Sequence, residues 1–366
     1  MSWGNPENWI EATRARILWP ASFAFGLAGS ARMLAYQKGI LKRKTFDATV
    51  LSVGNITCGG TGKTPVTIDL ASRLVEDGRR VAILSRGYRR RSTEQSLIVS
   101  DGKGSLASCS DSGDEPYLIA KSVPEAVVIV GSRRVVTAEL AVKEFGCDVI
   151  LLDDGFQHVA VARDLDVVLI DYHDELYKDH LLPAGRLREP VTALSRATWI
   201  VITKVPENAD LQRLEKMRSQ LASLSPSATI SACRMLTNSL VDVSLSGTSA
   251  DLSLLNGKTV VAFSGIARPS AFTAELSSLG ASVAHQRSHP DHHWYTPSDI
   301  DALRELQAKH SASLIITTEK DAVKLNHELV QDLPIFALQQ NIEWLGPVPT
   351  SELITRAMIK PRATAR

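Results

Sequence analysis

The stretch "CGGTGKTP" at residues 58–65 puts three glycines, a lysine and a threonine between an apolar run and a helical pattern. Glycines at such a junction leave backbone N–H groups open, and the helix N-terminus adds its partial positive charge, so the junction grips an anion. Thr57, Gly59, Gly60, Thr61 and Gly62 would line a phosphate cradle, Lys63 would reach the β- and γ-phosphates of ATP, and the Thr64 hydroxyl would ligate Mg²⁺. The strict phosphate-loop pattern asks for glycine at position 57, where this chain has Thr57. Pro65 is tolerated because the first turn of a helix has N–H groups to lose, although it biases Thr64 away from helical angles. Such a loop needs a metal-holding acid on another strand, and "VILLDDGFQH" at 149–158 ends an apolar run in Asp153 and Asp154.

The nucleotide chemistry can be narrowed further. A GTPase would carry Asn-Lys-x-Asp or Thr-Lys-x-Asp after a strand. "TKVP" at 203–206 has Pro206 in the last place, and "TEKD" at 318–321 has the wrong order. Partition-type ATPases use a leading lysine in the loop that acts across a dimer, and that position is Cys58 here.

Short Val/Ile/Leu-rich runs at 50–53, 81–85, 126–130, 148–154, 166–171 and 199–204 alternate with helical patterns, and a second set follows at 259–264, 313–318 and 334–338. Continuous apolar strands separated by helices predict an α/β fold, a mostly parallel sheet of the P-loop NTPase kind, with a second, smaller α/β lobe. The expected division is an N-terminal segment 1–44, a phosphate-loop core 45–225 and a C-terminal lobe 226–366. Its boundary lies in a Ser- and Gly-rich excursion near 205–257 and is set to within about twenty residues.

Charge is nearly balanced at +1, but residues 1–44 carry seven Lys/Arg against Glu7 and Glu11. The run "ILWPASFAFGLAG" at 17–29 is apolar, broken by Pro20 and flanked by basic residues, and too short to span a membrane as a helix. A secretory signal with "AGSA" as its cleavage site is the competing reading, but export would take a nucleotide loop away from ATP. The better reading is an interfacial helix, with Trp9, Trp19, Phe23 and Phe25 in the lipid boundary and Arg14, Arg16, Arg32 and Lys38 at anionic headgroups. A helix packed on its own domain is the alternative. Four scattered cysteines without paired spacing fit neither a disulfide framework nor a zinc knuckle and point to a reducing cytosol. No basic domain beyond the N-terminal patch and no aromatic-interleaved basic strand is present, which disfavours nucleic acid as a partner.

Seven motifs in order, "GGTGKTP", "LSRGYRRR" at 84–91, "GDEP" at 113–116, "DDGFQH" at 153–158, "LPAGRLREP" at 182–190, "HPDHHWYT" at 289–296 and "TTEKDAVKL" at 317–325, make the chain resemble the bacterial tetraacyldisaccharide 4′-kinases of lipid A synthesis. The resemblance implies transfer of the ATP γ-phosphate to the 4′-hydroxyl of an acylated glucosamine disaccharide 1-phosphate at the cytoplasmic face of the inner membrane. It also implies an N-terminal membrane-contacting helix, and it implies no protein partner. It maps a catalytic acid onto Asp114 and a partnering histidine onto His292 or His293; by local pattern alone, Asp114 and Glu115 before Pro116 are an ordinary acidic helix start. The same histidine cluster with Asp291 could ligate zinc, but no fourth ligand stands at a recognisable spacing. Arg86 and the arginines that follow it suit phosphate recognition on the acceptor or on ATP. By resemblance, Arg86, Tyr88 and Arg188 would meet substrate and Glu189 would be a second metal contact. Lys320 and Asp321 would contact nucleotide or brace the second lobe. Closure of the two lobes around ATP and lipid is the expected motion. A membrane-associated ATPase acting as a regulatory switch is the other functional class to be distinguished.

Overall fold

The computed structural model describes residues 6–244, 248–266, 268–348 and 355, with side chains from Ile17 onward. Trp9, Arg14 and Arg16 of the expected lipid-facing set therefore lie outside the described side chains. In chain order the strands are β1 Thr49–Asn55, β2 Val81–Ser85, β3 Leu97–Asp101, β4 Val127–Val130, β5 Val149–Asp153, β6 Leu165–Asp171, β7 Trp199–Thr203, β8 Thr229–Asp242, β9 Ser249–Ala250, β10 Thr259–Ser264, β11 Ser282–Ser288, β12 Leu314–Thr318 and β13 Ile335–Trp344. The helices are α1 Pro6–Gln37, α2 Lys63–Glu76, α3 Cys109–Ser112, α4 Asp114–Ser122, α5 Arg134–Lys143, α6 Leu211–Leu224, α7 Pro269–Ser278, α8 Pro297–His310, α9 Glu319–Ala322 and α10 His327–Val330.

Two compact units share the chain: 1–86 with 133–234 and 343–366, and 87–132 with 235–342. They interleave rather than follow one another as in the expected 45–225 and 226–366 division, and residues 87–132 group with the C-terminal stretch.

In the first unit, β1 lies between β5 and β6, β2 borders β5, and β7 joins β6 to the first residues of β8, all parallel. Every residue of β1, β5, β6 and β7 is buried, which is what both-face coverage of a parallel sheet demands of an uninterrupted Val/Ile/Leu run. Val66, Leu70 and Leu74 form the buried stripe of α2 at helical spacing. Each such side chain contributes about 1.5–3 kcal/mol on burial. The register pairs Val53 with Asp153, so the loop leaving β1 and the turn leaving β5 emerge side by side, at the strand ends where open α/β sheets bind ligands.

In the second unit, β11, β10, β12 and β13 form a parallel sheet with a core of Val261, Phe263, Ile315 and Ile335, while β3 and β4 pair antiparallel. Helix α4 packs on α9.

All nine runs read as strands are strands. The stretch 205–257, read as a boundary or surface excursion, contains the passage between the units at 234/235 and also holds α6 and the 14-residue β8. Strands β3, β8 and β11 carry no continuous apolar run because they are only partly buried, and so they gave no signal.

Candidate active site

The first unit carries a phosphate-loop arrangement. Gly62 caps α2 at φ 83°, a left-handed conformation that costs a residue with a Cβ about 1–2 kcal/mol. The helix begins at Lys63 and runs through Thr64 and Pro65, so the proline does not displace Thr64 from helical geometry. Behind the loop, the Cys58 N–H donates to Arg186 O at 2.7 Å and the Arg188 N–H to Ile56 O at 2.7 Å. The Asn55 amide donates to Thr57 O at 2.7 Å, and the Thr57 hydroxyl to Asp174 at 3.4 Å. Position 57 thus serves as a buried anchor, which a glycine could not do. The Thr203 hydroxyl donates to Thr61 O at 2.9 Å, and the Lys204 ammonium reaches Gly60 O and, at 3.1 Å, Asp171. Gly59 and Gly60 are exposed, and the buried Thr61 hydroxyl has no hydrogen-bond partner among the described residues.

Lys63 Nζ lies 3.3 Å from Asn55 Oδ1 and 3.8 Å from Asp154. Asp154, at φ 50°, also accepts two hydrogen bonds from Arg188 Nη1 at 2.9 and 2.8 Å. Burial pushes its pKa up, but the Lys63 and Arg188 charges and the Arg188 hydrogen bonds outweigh that and hold it below the usual value. Asp153 is buried and accepts from the Ser85 hydroxyl at 2.9 Å. Thr64 and the Asp153–Asp154 pair offer hard oxygen donors of the kind Mg²⁺ takes, so the residues present fit the ion.

Glu189 is forked by Arg196 at 2.9 and 3.1 Å and receives the Gln157 amide at 3.0 Å, so a metal contact there would require release of the Arg196 fork. Gln157 also donates to Asn55 O at 3.0 Å, a bracing role that spacing alone did not give it. Arg86 is exposed just past β2 and acts electrostatically on Arg134 and His158. Buried Arg134 falls to about 10, mainly through desolvation, and His158 to about 4 through desolvation and then Arg134 and Arg86.

The second unit holds Asp114 and the histidine cluster. Asp114 is 3% exposed at the start of α4. His292 Nδ1 lies 3.0 and 2.9 Å from its two carboxylate oxygens. His292 sits at φ 62°, an uncommon conformation for a residue with a Cβ and of the kind that clusters where structure is held for function. The Tyr88 ring lies 5.2 Å from the His292 ring, and Arg89 donates to Asp291 O at 2.7 Å. Lys320 bridges Glu115 at 3.1 Å and Asp291 at 3.4 Å, with His292 Nε2 at 3.4 Å. Burial pushes the Asp114 pKa up; the His292 hydrogen bond and the charges of Lys320, His292 and Lys324 outweigh it and hold the group below its ordinary value. Arg90 is spent on structure, donating to Val130 O and Glu94 O.

Of the two histidines left open by the motif, His292 is the one against Asp114; His293 turns to Asp299 at 3.1 Å, where Asp299 also completes the capping box of α8 with Thr296. His289, His293 and Asp299 are the one group among the described residues whose donor atoms cluster tightly enough for a metal ion. Arg287 Nε already donates to His289 Nε2 at 3.3 Å, and Asp299 already accepts from Thr296, which speaks against a zinc site.

The tetraacyldisaccharide-1-P 4′-kinase (LpxK) family profile matches residues 14–358. A tetraacyldisaccharide 4′-kinase of Anaeromyxobacter dehalogenans is 41% identical over 309 residues, covering 84% of this chain and 81% of that one. One from Halothermothrix orenii is 34% identical over 339 residues, with 89% and 88% covered. The crystal structure of Aquifex aeolicus LpxK in complex with ATP superposes with a TM-score of 0.75 at 32% identity, covering 94% of this chain and 99% of that one. The chain therefore belongs to the tetraacyldisaccharide 4′-kinase family.

Proposed function

We propose that the protein transfers the γ-phosphate of ATP to the 4′-hydroxyl of an acylated glucosamine disaccharide 1-phosphate. The observation that carries this reading beyond family membership is the Asp114–His292 pair. A sugar hydroxyl is a poor nucleophile and needs a positioned base, whereas an ATPase switch that activates water for its own timing has no use for a pair built on a separate unit from the phosphate loop. No observation favours the switch.

Asp114 accepts the hydroxyl proton, with His292 orienting its carboxylate through Nδ1 and sharing the incoming charge. The phosphate-loop amides and Lys63 hold the triphosphate, and Arg188 lies close enough to Lys63 and Asp154 to meet charge developing on the γ-phosphate. Thr64, Asp153 and Asp154 would hold Mg²⁺, which neutralises phosphate charge when bound. Arg86 and Tyr88 are assigned to the substrate. Support for work at a membrane surface comes from α1, where Ile17, Trp19, Phe23, Phe25, Leu27 and Leu34 are exposed while Ser22 is anchored to Leu181 O at 2.9 Å. No described helix is long and apolar enough to cross a membrane. We place the protein peripherally, on the cytoplasmic face of the inner membrane.

The test is product chemistry. Incubation with ATP, Mg²⁺ and a tetraacylated disaccharide 1-phosphate is expected to add one phosphomonoester at the 4′ position, read by mass and by phosphorus NMR. ATP consumption with an unchanged lipid would contradict the reading.

A further inference from the structure

Close to Asp114 lies a lysine of the 317–325 motif to which neither the motif nor the mechanism gave a role. The Lys324 side chain is fully buried, with Nζ 2.7 Å from Asp321 Oδ1, 3.9 Å from Asp114 Oδ2 and 5.4 Å from the centroid of the Tyr295 ring. Asp321 is itself 0% exposed and is pinned from its other oxygen, accepting the Thr318 hydroxyl at 2.7 Å and the Gly265 N–H at 3.0 Å. A Cβ at Gly265 would stand 3.2 Å from Asp321 Oδ1 and 3.1 Å from Pro290 O, so glycine there lets the backbone approach the acid. Lysine is almost never fully buried unless paired, and a buried pair contributes little net stability, so its retention asks for another reason.

We propose that Lys324 is a positioning residue for phosphoryl transfer: a buried cation, fixed by Asp321, that keeps Asp114 ionised and its Oδ2 aligned toward His292. This inference rests on the reading of Asp114 and His292 as the proton-accepting pair.

The charged and titratable groups facing Asp114 are few. Its own helix gives Glu115; α3 gives Cys109; the 288–295 loop gives Asp291 and His292; the segment from α9 onward gives Lys320, Asp321 and Lys324. Lys320 is only partly buried and is shared with Glu115 and Asp291, so those acids offset its charge and solvent screens it. Lys324, two residues past the end of α9, is fully buried and held by Asp321 at 2.7 Å, so its position is fixed although Asp321 offsets part of its charge; Lys320 acts more strongly on Asp114, and Lys324 adds to it from inside the protein. Burial acts against an ionised Asp114, and in a site closed to water a fixed cation opposes that more steadily than an exposed one. The same cation and the acid beside it act on Cys109, whose thiol is pushed up to about 12, chiefly by burial and then by the Asp114 charge.

The experiment measures the pH profile of kcat/KM for the full chain carrying Lys324→Met, Asp321→Asn, and both together, with Asp114→Asn as reference and thermal melting of each. Lys324→Met leaves Asp321 buried without its counter-ion and can unfold the protein; the double variant removes both charges and keeps the volumes, so the question survives that failure. The expected result is an acidic limb moved upward by about one pH unit in the double variant, and in Lys324→Met where it folds, since a lost cation raises a carboxylate's pKa. Asp321→Asn alone, which keeps the cation, shows no upward movement. An acidic limb in the double variant that superimposes on wild type, with turnover falling only as the melting temperature falls, would overturn the proposal and leave a purely structural pair. The two layers separate cleanly: normal turnover by Asp114→Asn would remove the base assignment itself, whereas an inactive Asp114→Asn with an unmoved double-variant profile removes only the role of Lys324.

Discussion

Lys63, Thr64 and Asp114 differ in what their loss should do, because they touch different parts of the reaction. Lys63→Ala or Thr64→Ala is expected to abolish transfer with the melting temperature nearly unchanged, since both side chains lie at a loop whose backbone bonds they do not make. Wild-type turnover in either variant would refute the phosphate-loop role. Asp114→Asn is expected to cut turnover by about 10² or more, the usual worth of a positioned general base. A loss confined to thermal stability would return Asp114 to a plain helix start. His158 carries a pH signature. Its folded pKa is lowered from 6.5 to about 4, so between those values the unfolded chain binds a proton that the folded chain refuses. Stability should therefore fall as pH drops from about 6.5 to about 4, and His158→Gln should flatten that part of the slope in thermal melts across the range. An identical slope in the variant would show that His158 does not contribute. Residue types and spacing were enough to nominate the phosphate loop, whereas Asp114 and its partner histidine were nominated only by the family resemblance. It could not choose between His292 and His293, because that choice depends on a left-handed backbone at 292 that turns one ring toward Asp114 and leaves the next to Asp299. Lys324 was illegible for a similar reason: spacing does not reveal that a lysine is buried.

Elements position these groups with little freedom. The β1–β5 register brings the phosphate loop and the Asp153–Asp154 turn to one edge, and the Gly62 backbone opens α2 toward it. Gly62→Ala is expected to strain the loop by about 1–2 kcal/mol, raising KM for ATP and lowering the melting temperature. An unchanged KM would show that the left-handed turn is dispensable. Helix α1 presents a different test. Replacing Trp19 and Phe23, which stack at 5.8 Å on the exposed face, by serine should weaken binding to anionic vesicles in flotation without changing melting. Unchanged flotation would contradict the interfacial reading. The strands were legible wherever both faces are covered, because that burial writes an uninterrupted apolar run. They were not legible in β3, β8 and β11, where half-burial mixes polar and apolar residues without a clean period.

At the scale of the whole molecule, the residues proposed to hold the nucleotide and those proposed to accept the proton belong to different compact units, each built from discontinuous segments. The passage at 234/235 falls within the Ser- and Gly-rich stretch read as the boundary, but nothing in composition marks the passages at 86/87, 132/133 and 342/343, so sequence order suggested consecutive domains; the excursion of 87–132 into the second unit carries Tyr88 and Asp114 with it. This division separates affinity from chemistry: losing the second unit's base should leave ATP binding intact. The most direct test follows radiolabelled ATP through wild-type protein and Asp114→Asn, with and without the lipid acceptor, and counts label in lipid and in free phosphate. The account predicts acceptor-dependent labelling of the lipid by wild type, with little free phosphate, and none by Asp114→Asn at undiminished ATP affinity. Rapid acceptor-independent release of phosphate, or lipid labelling by Asp114→Asn at the wild-type rate, would contradict it.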